Sequence, residues 1–210
     1  MRTETRLGNA RMRMTQHGVD CLLLSVGSDL PYLTGYNAMP LERLTMLVLP
    51  VDAEPVLVVP ELEAPRVEPG PFEIVPWSET EDPVHLVVQH ARRPAVAAIG
   101  DQTWSVFLLD LFSHMTETTF IPASSVMRGL RIRKDSGEVE ALRAAAHAVD
   151  RVLSRVPSEV RFKGRTEAQV ARDVIDMTLE EGHDAALFWI VASGPNSASP
   201  HHEPGGRVIQ

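Results

Sequence analysis

Short apolar runs alternate with amphipathic stretches over residues 1–132. The runs predict strands at residues 21–26, 44–50, 55–60, 72–77, 95–100 and 119–121. Apolar residues at helical spacing predict helices at residues 4–18, 82–92 and 103–115, and Gly18 is placed to end the first of them. Only the VDAE segment separates the second and third runs, which predicts an antiparallel hairpin. The alternation predicts an α/β domain with a mixed sheet and flanking helices.

The pattern changes at about residue 133, where helical periodicity replaces the short runs. Ser136 is placed to cap one amphipathic helix, and Thr166 is placed to cap a second, which Gly182 ends. Their apolar stripes comprise Val139, Leu142, Ala146 and Val149 in the first helix, and Ala168, Ala171, Val174, Ile175 and Leu179 in the second. The apolar run at residues 187–192 predicts a buried strand. Because no predicted element covers these faces, we expect residues 133–210 to form an incomplete domain.

Charge and cysteine content narrow the class of protein. The net charge is −8 at pH 7 and no run of Lys or Arg is present, which argues against a nucleic acid partner or an anionic membrane surface. No apolar run approaches the roughly 20 residues of a membrane helix, and the N-terminus lacks the apolar core of a signal peptide. The single cysteine, Cys21, has no internal disulfide partner and lies in an apolar run that favours burial. We therefore expect a cytoplasmic protein.

The residues that could best take part in catalysis or binding form a cluster in the closing segment, at Pro200, His201, His202 and Glu203. Adjacent residues of an extended segment point to opposite sides, so His201 and His202 are not expected to bind one metal ion together. Two interpretations remain open for them. The histidines are either solvated residues of a surface loop, or one of them faces a pocket as a proton donor or anion binder. Asn196 is typical of a turn, and His183 suits the end of a helix.

Four segments, in the same order along the chain, resemble the Xaa-Pro peptidases and creatinases, which have the pita-bread fold. DLPYLTGYN (29–37) is similar to a signature of their N-terminal domain, and LRIRKDSGEVEALRAAAHAVD (130–150) resembles the start of their catalytic domain. GRTEAQVA (164–171) resembles the beginning of that domain's second helix. FWIVASGPNSASPHHEP (188–204) is similar to the segment that leads to the first active-site histidine.

The resemblance implies a creatinase-like N-terminal domain over residues 1–132 and the incomplete start of an α+β pita-bread catalytic domain over residues 133–210. It implies hydrolysis of the peptide bond that precedes proline, in dipeptides or at the N-terminus of longer peptides. His201 falls at the position of a pocket histidine that contacts substrate and helps to stabilise the transition state, and His202 beside it is a second candidate for substrate binding.

Cofactors and partners also follow from the resemblance. The peptidases bind two divalent ions, usually manganese, cobalt or zinc, through five ligands whose positions fall beyond Gln210. We therefore expect that this chain ligates no metal and is inactive by itself. The resemblance also implies a homodimer or larger oligomer, with the turn at residues 29–36 as a candidate contact. Two alternatives stay open, namely a metal-independent amidinohydrolase of the creatinase type and a non-enzymatic member that binds peptides or proteins.

Overall fold

The computed structural model describes residues 2–210. The chain divides into two compact units, of which the first ends at Arg133 and the second comprises Lys134–Gln210. Among the described helices, none is long and apolar enough to cross a bilayer.

A six-stranded mixed sheet forms the centre of the first unit. Its strands are β1 (Cys21–Leu24), β2 (Met46–Pro50), β3 (Val56–Pro60), β4 (Glu73–Trp77), β5 (Val96–Ile99) and β6 (Thr119–Pro122). Their order in space is β4-β3-β2-β1-β5-β6. The pairs β1–β2 and β2–β3 are antiparallel, and the other neighbouring pairs are parallel. The predicted mixed sheet and the hairpin around VDAE are therefore confirmed.

Five α-helices accompany the sheet: α1 (Arg2–His17), α2 (Asp29–Thr34), α3 (Pro83–Ala91), α4 (Ser105–His114) and α5 (Ser124–Arg131). A 3-10 helix (Ala64–Arg66) lies between β3 and β4 in the chain. Side chains of a strand alternate between the two faces of a sheet, and β1 shows the consequence. Leu22 and Leu24 belong to a core cluster shared with α1, α2 and α5. Cys21 and Leu23 belong to a second cluster shared with α3 and α4. The sheet is thus covered on both faces.

Two short helices differ from the prediction. The segment predicted as a turn at residues 29–36 contains α2, in which Thr34 Oγ1 donates to the carbonyl oxygen of Leu30 at 2.8 Å and Gly35, with φ of 78°, ends the helix. The helix α5 was not predicted at all. Both helices are too short for hydrophobic periodicity to reveal them. At the end of α1, by contrast, Gly18 adopts a φ of 65° in agreement with the predicted stop.

The second unit contains α6 (Ser136–Glu159), α7 (Glu167–Glu180) and a short 3-10 helix (Gly194–Ala198). The predicted cap of α6 was wrong by one residue. Asp135 is the N-cap: its side chain accepts from the backbone N–H of Glu138 at 2.9 Å, and the Glu138 side chain accepts from the N–H of Asp135 at 2.9 Å. Thr166 caps α7 as predicted, through a matching pair of hydrogen bonds with Gln169.

The buried face of α6 also differs from the predicted stripe. Ala148 and Val152 are buried on that helix, whereas Val139, Leu142 and Val149 are exposed. The reason is that α6 carries two apolar faces, and the hydrophobic pattern does not reveal which of them packs within residues 134–210. The buried one joins a small core with Val170 and Met177 of α7, among others.

The predicted strand at residues 187–192 is not observed. No described residue pairs with this segment in a β-ladder, and its side chains at Leu187 and Phe188 are 89% and 71% exposed. An apolar run forms a strand only where a neighbouring strand accepts and donates its backbone hydrogen bonds. Val191 alone of this apolar run packs against the core of the second unit.

Candidate functional site

The first turn of α7 holds a buried carboxylate, Glu167, directly after the N-cap Thr166. Its side chain has no solvent exposure. A buried carboxylate is costly unless hydrogen-bond donors surround it, and an acidic side chain at the beginning of a helix also interacts favourably with the helix dipole. The hydrogen-bond partners of Glu167 therefore determine whether its carboxylate can stay ionised in this buried position.

Three residues of the closing segment donate to the Glu167 carboxylate. Oε1 accepts from the backbone N–H of Ser193 at 2.6 Å and from its hydroxyl at 2.8 Å. The Asn196 side-chain nitrogen lies 3.2 Å from Oε1 and 3.0 Å from Oε2. Nε2 of His202 lies 2.7 Å from Oε2. The carboxylate thus ties both ends of the segment from Ser193 to His202 to the start of α7.

The charge of Glu167 is set by a balance between burial and hydrogen bonding. Burial raises the pKa of its carboxyl, but the hydrogen bonds from His202, Ser193 and Asn196 outweigh burial and lower that pKa to about 2. Glu167 is therefore ionised at neutral pH, where its hydrogen bonds are charge-assisted and correspondingly strong.

Backbone hydrogen bonds attach the following residues to the same end of α7. The N–H of Glu167 donates to the carbonyl oxygen of Arg207 at 3.0 Å, and the N–H of Ala168 donates to that of Gly205 at 3.0 Å. The first N–H groups of a helix have no partner within it, so these carbonyl oxygens satisfy two of them. An isolated antiparallel bridge between Thr166 and Val208 also joins the end of the chain to the beginning of α7.

The two adjacent histidines have different surroundings. His202 is partly buried, with 19% of its side chain exposed, and bonds to Glu167. His201 is exposed, and its ring centroid lies 6.0 Å from that of Phe188. The structure therefore brings His202 and Asn196 together on Glu167, and places the His201 ring at the surface beside an exposed aromatic side chain.

Glu167 was not singled out from the sequence. An acidic residue after a threonine cap is ordinary in the first turn of a helix, and nothing in the local pattern indicates burial. Asn196, predicted to shape a turn, lies in the 3-10 helix and also donates to this carboxylate. His183 lies beyond the end of α7 as predicted, and its Nε2 atom is buried with no hydrogen-bond partner among the described residues.

Residues 2–210 include the His, Cys, Asp and Glu side chains that could bind a metal ion. Within that range, no group of three or more His, Cys, Asp or Glu side chains is arranged to hold a metal ion. The described residues therefore do not supply the three or four converging side chains that a protein zinc site uses.

Both compact units of the chain match models of known protein families. The family model of the Creatinase/Prolidase N-terminal domain matches residues 6–133, and that of Metallopeptidase family M24 matches residues 140–210. The chain belongs to the creatinase/prolidase family, and the resemblance seen in the sequence is confirmed.

Individual relatives agree with this assignment. The probable dipeptidase PepE of Mycobacterium bovis is 37% identical over 98% of this chain and 56% of its own length. The crystal structure of dipeptidase PepE from Mycobacterium ulcerans has a TM-score of 0.89 and 37% identity, covering 100% of this chain and 57% of that one. The prolidase from Thermococcus sibiricus has a TM-score of 0.92 and 30% identity, covering 100% and 59%. The chain therefore spans little more than half the length of these relatives.

Proposed function

We propose that this chain forms part of a metal-dependent dipeptidase or aminopeptidase that hydrolyses the peptide bond preceding proline. The observation that carries the proposal is the M24 match over residues 140–210, which includes the whole segment anchored by Glu167. The names of the similar proteins, dipeptidase and prolidase, support a peptide substrate.

His201 is the residue that we propose to contact the substrate. Its ring is exposed, while the neighbouring His202 is held by Glu167, so the two histidines differ in their availability to a ligand. An imidazole N–H can donate a hydrogen bond to the oxygen on which negative charge develops when a peptide carbonyl is attacked. The ring of Phe188 beside it offers an apolar surface that suits the side of a proline ring.

The described residues do not form a metal site, so we propose that the two divalent ions of the family are bound by other residues of the complete protein. The role proposed for residues 2–210 is therefore limited to substrate contacts and their support. It follows that residues 1–210, produced alone, should not hydrolyse an Xaa-Pro dipeptide.

Activity assays of two proteins test the proposal. One is the product of the complete reading frame, and the other is residues 1–210; both are assayed with Mn²⁺ on Ala-Pro, on Ala-Ala and on creatine. We expect that only the complete product is active, that it hydrolyses Ala-Pro faster than Ala-Ala, and that it does not hydrolyse creatine. Hydrolysis of creatine would favour the amidinohydrolase alternative, and peptide binding without turnover would favour the non-enzymatic one.

A pair of substitutions tests the role of His201. In the complete protein, H201A is expected to lower kcat for Ala-Pro by roughly 10²-fold, the cost typical of losing one transition-state donor. The exposed neighbour Glu203 provides the matched control, because E203Q should leave kcat within about twofold. Equal kcat values for H201A and the unmodified enzyme would refute the assigned role.

A further inference from the structure

The buried carboxylate of Glu167 holds the segment that carries His201 through hydrogen bonds to Ser193, Asn196 and His202. We infer that Glu167 is a positioning residue for His201, an inference that rests on the function proposed above. Glu167 fixes the backbone on both sides of the substrate-contacting ring, and its charge is needed for that task.

The first step of the argument is the spacing of the three anchors. Ser193 and Asn196 precede His201, and His202 follows it immediately. All three donate to one carboxylate, with four donor atoms at 2.6 to 3.2 Å from its oxygens. A segment bound at both ends to one point on a helix has little freedom to shift, so the position of the His201 backbone follows from that of Glu167.

The second step concerns the chemistry of the anchor. An ionised carboxylate only accepts hydrogen bonds, and its two oxygens have enough lone pairs for all four donors. A glutamine has almost the same shape, but its amide nitrogen would face donors in place of one oxygen. Because Glu167 is fully buried, bulk water does not reach this position to replace the lost acceptor.

The third step relates position to rate. A displacement of about 1 Å in a group that acts on the transition state can lower the rate about 10²-fold, even when substrate binding changes little. Loss of the anchor should therefore lower kcat more than it raises KM. If Glu167 had a purely structural role, its loss would reduce the fraction of folded enzyme. The enzyme that does fold would keep its kcat and KM.

The test compares E167Q with E203Q in the complete protein. Glu203 is a matched control because it lies in the same segment and is exposed. Amide hydrogen exchange of residues 194–202 and the NMR signals of ¹³C-labelled His201 report on the segment directly. For E167Q we expect exchange on the order of tenfold faster and a shifted His201 signal, since several hydrogen bonds to a charged group are weakened. E203Q should match the unmodified protein in both measurements.

Kinetics on Ala-Pro supply the second readout. We expect E167Q to lower kcat by about 10- to 100-fold while KM stays within about threefold. Unchanged exchange and an unchanged His201 signal in E167Q would overturn the inference. If the unmodified protein does not cleave Ala-Pro, the proposed function fails, and the exchange and NMR measurements still decide whether Glu167 positions His201.

A second variant covers the case in which E167Q does not fold. N196A keeps the carboxylate and removes one of its three partner residues. We expect a smaller increase in exchange, confined to residues 194–202, and a smaller loss of kcat. If N196A exchanged at the same rate as the unmodified protein in residues 194–202, the inference would be overturned, as it would be by an unaffected E167Q.

Discussion

Nε2 of His202 lies 2.7 Å from Oε2 of the buried Glu167, so this histidine is a structural partner of α7. The ring of His201, one residue earlier, is exposed beside Phe188. Two adjacent residues of one type thus have different surroundings, and we propose different roles for them. Substitutions should separate these roles experimentally.

The first prediction concerns this division between the histidines. H202A removes a donor from a buried carboxylate and should loosen residues 194–202, whereas H201A should leave that segment unchanged because its ring is exposed. Glutamine can still donate from its amide nitrogen, so H202Q should loosen the segment less than H202A. Hydrogen exchange of residues 194–202 in the three variants measures the effect. Equal exchange rates in H201A and H202A would contradict the assignment.

The second prediction is a loss of stability in acid through Glu167. Its pKa falls from an ordinary value of 4.5 to about 2 in the folded protein, so its stabilising effect is complete above about pH 4.5. The effect declines as the pH falls from there towards 2, because the unfolded chain takes up the proton first. The difference in unfolding free energy between the unmodified protein and E167Q should therefore shrink across this range. A difference that stays constant across this range would contradict the prediction.

The third prediction distinguishes two neighbouring candidates for the cap of α6. Since the side chain of Asp135 accepts from the N–H of Glu138, D135A should destabilise the helix by about 0.5–2 kcal/mol. S136A changes a residue inside the helix and should alter stability by less than about 0.5 kcal/mol. Thermal unfolding followed by circular dichroism compares the two variants. A larger loss of stability in S136A than in D135A would show that Ser136 is the cap, as the sequence predicted.

The sequence predicted features that depend on local pattern and missed those that depend on tertiary contacts. The six strands, the hairpin and the caps at Gly18 and Thr166 follow from apolar runs and capping preferences, and the structure contains them. Short helices such as α2 carry too few residues to show a period. The burial of Glu167 depends on residues 26 to 35 positions away in the chain, to which no local pattern points. The apolar run at residues 187–192 illustrates the same limit, because a strand needs a partner as well as a composition.

The last prediction concerns the thiol of Cys21. This residue is fully buried in β1, and burial, with a smaller effect from Asp20, raises its pKa to about 12 from an ordinary value of 9.0. The thiolate is the reactive form, so its fraction at pH 8 should be on the order of 10³-fold lower than for an ordinary thiol, and packing also blocks access. The native protein should therefore react very slowly with a disulfide reagent and rapidly once it is unfolded in urea.

A relocated cysteine gives the matched control for that experiment. Gln89 lies exposed on α3, so the double variant C21A/Q89C carries one accessible thiol in the same protein. Its reaction at pH 8 should be fast in native buffer and nearly unchanged by urea, because exposure of the thiol no longer depends on unfolding. Comparable native rates for Cys21 and for the relocated thiol would show that β1 opens readily, which its position between β2 and β5 at the centre of the sheet argues against.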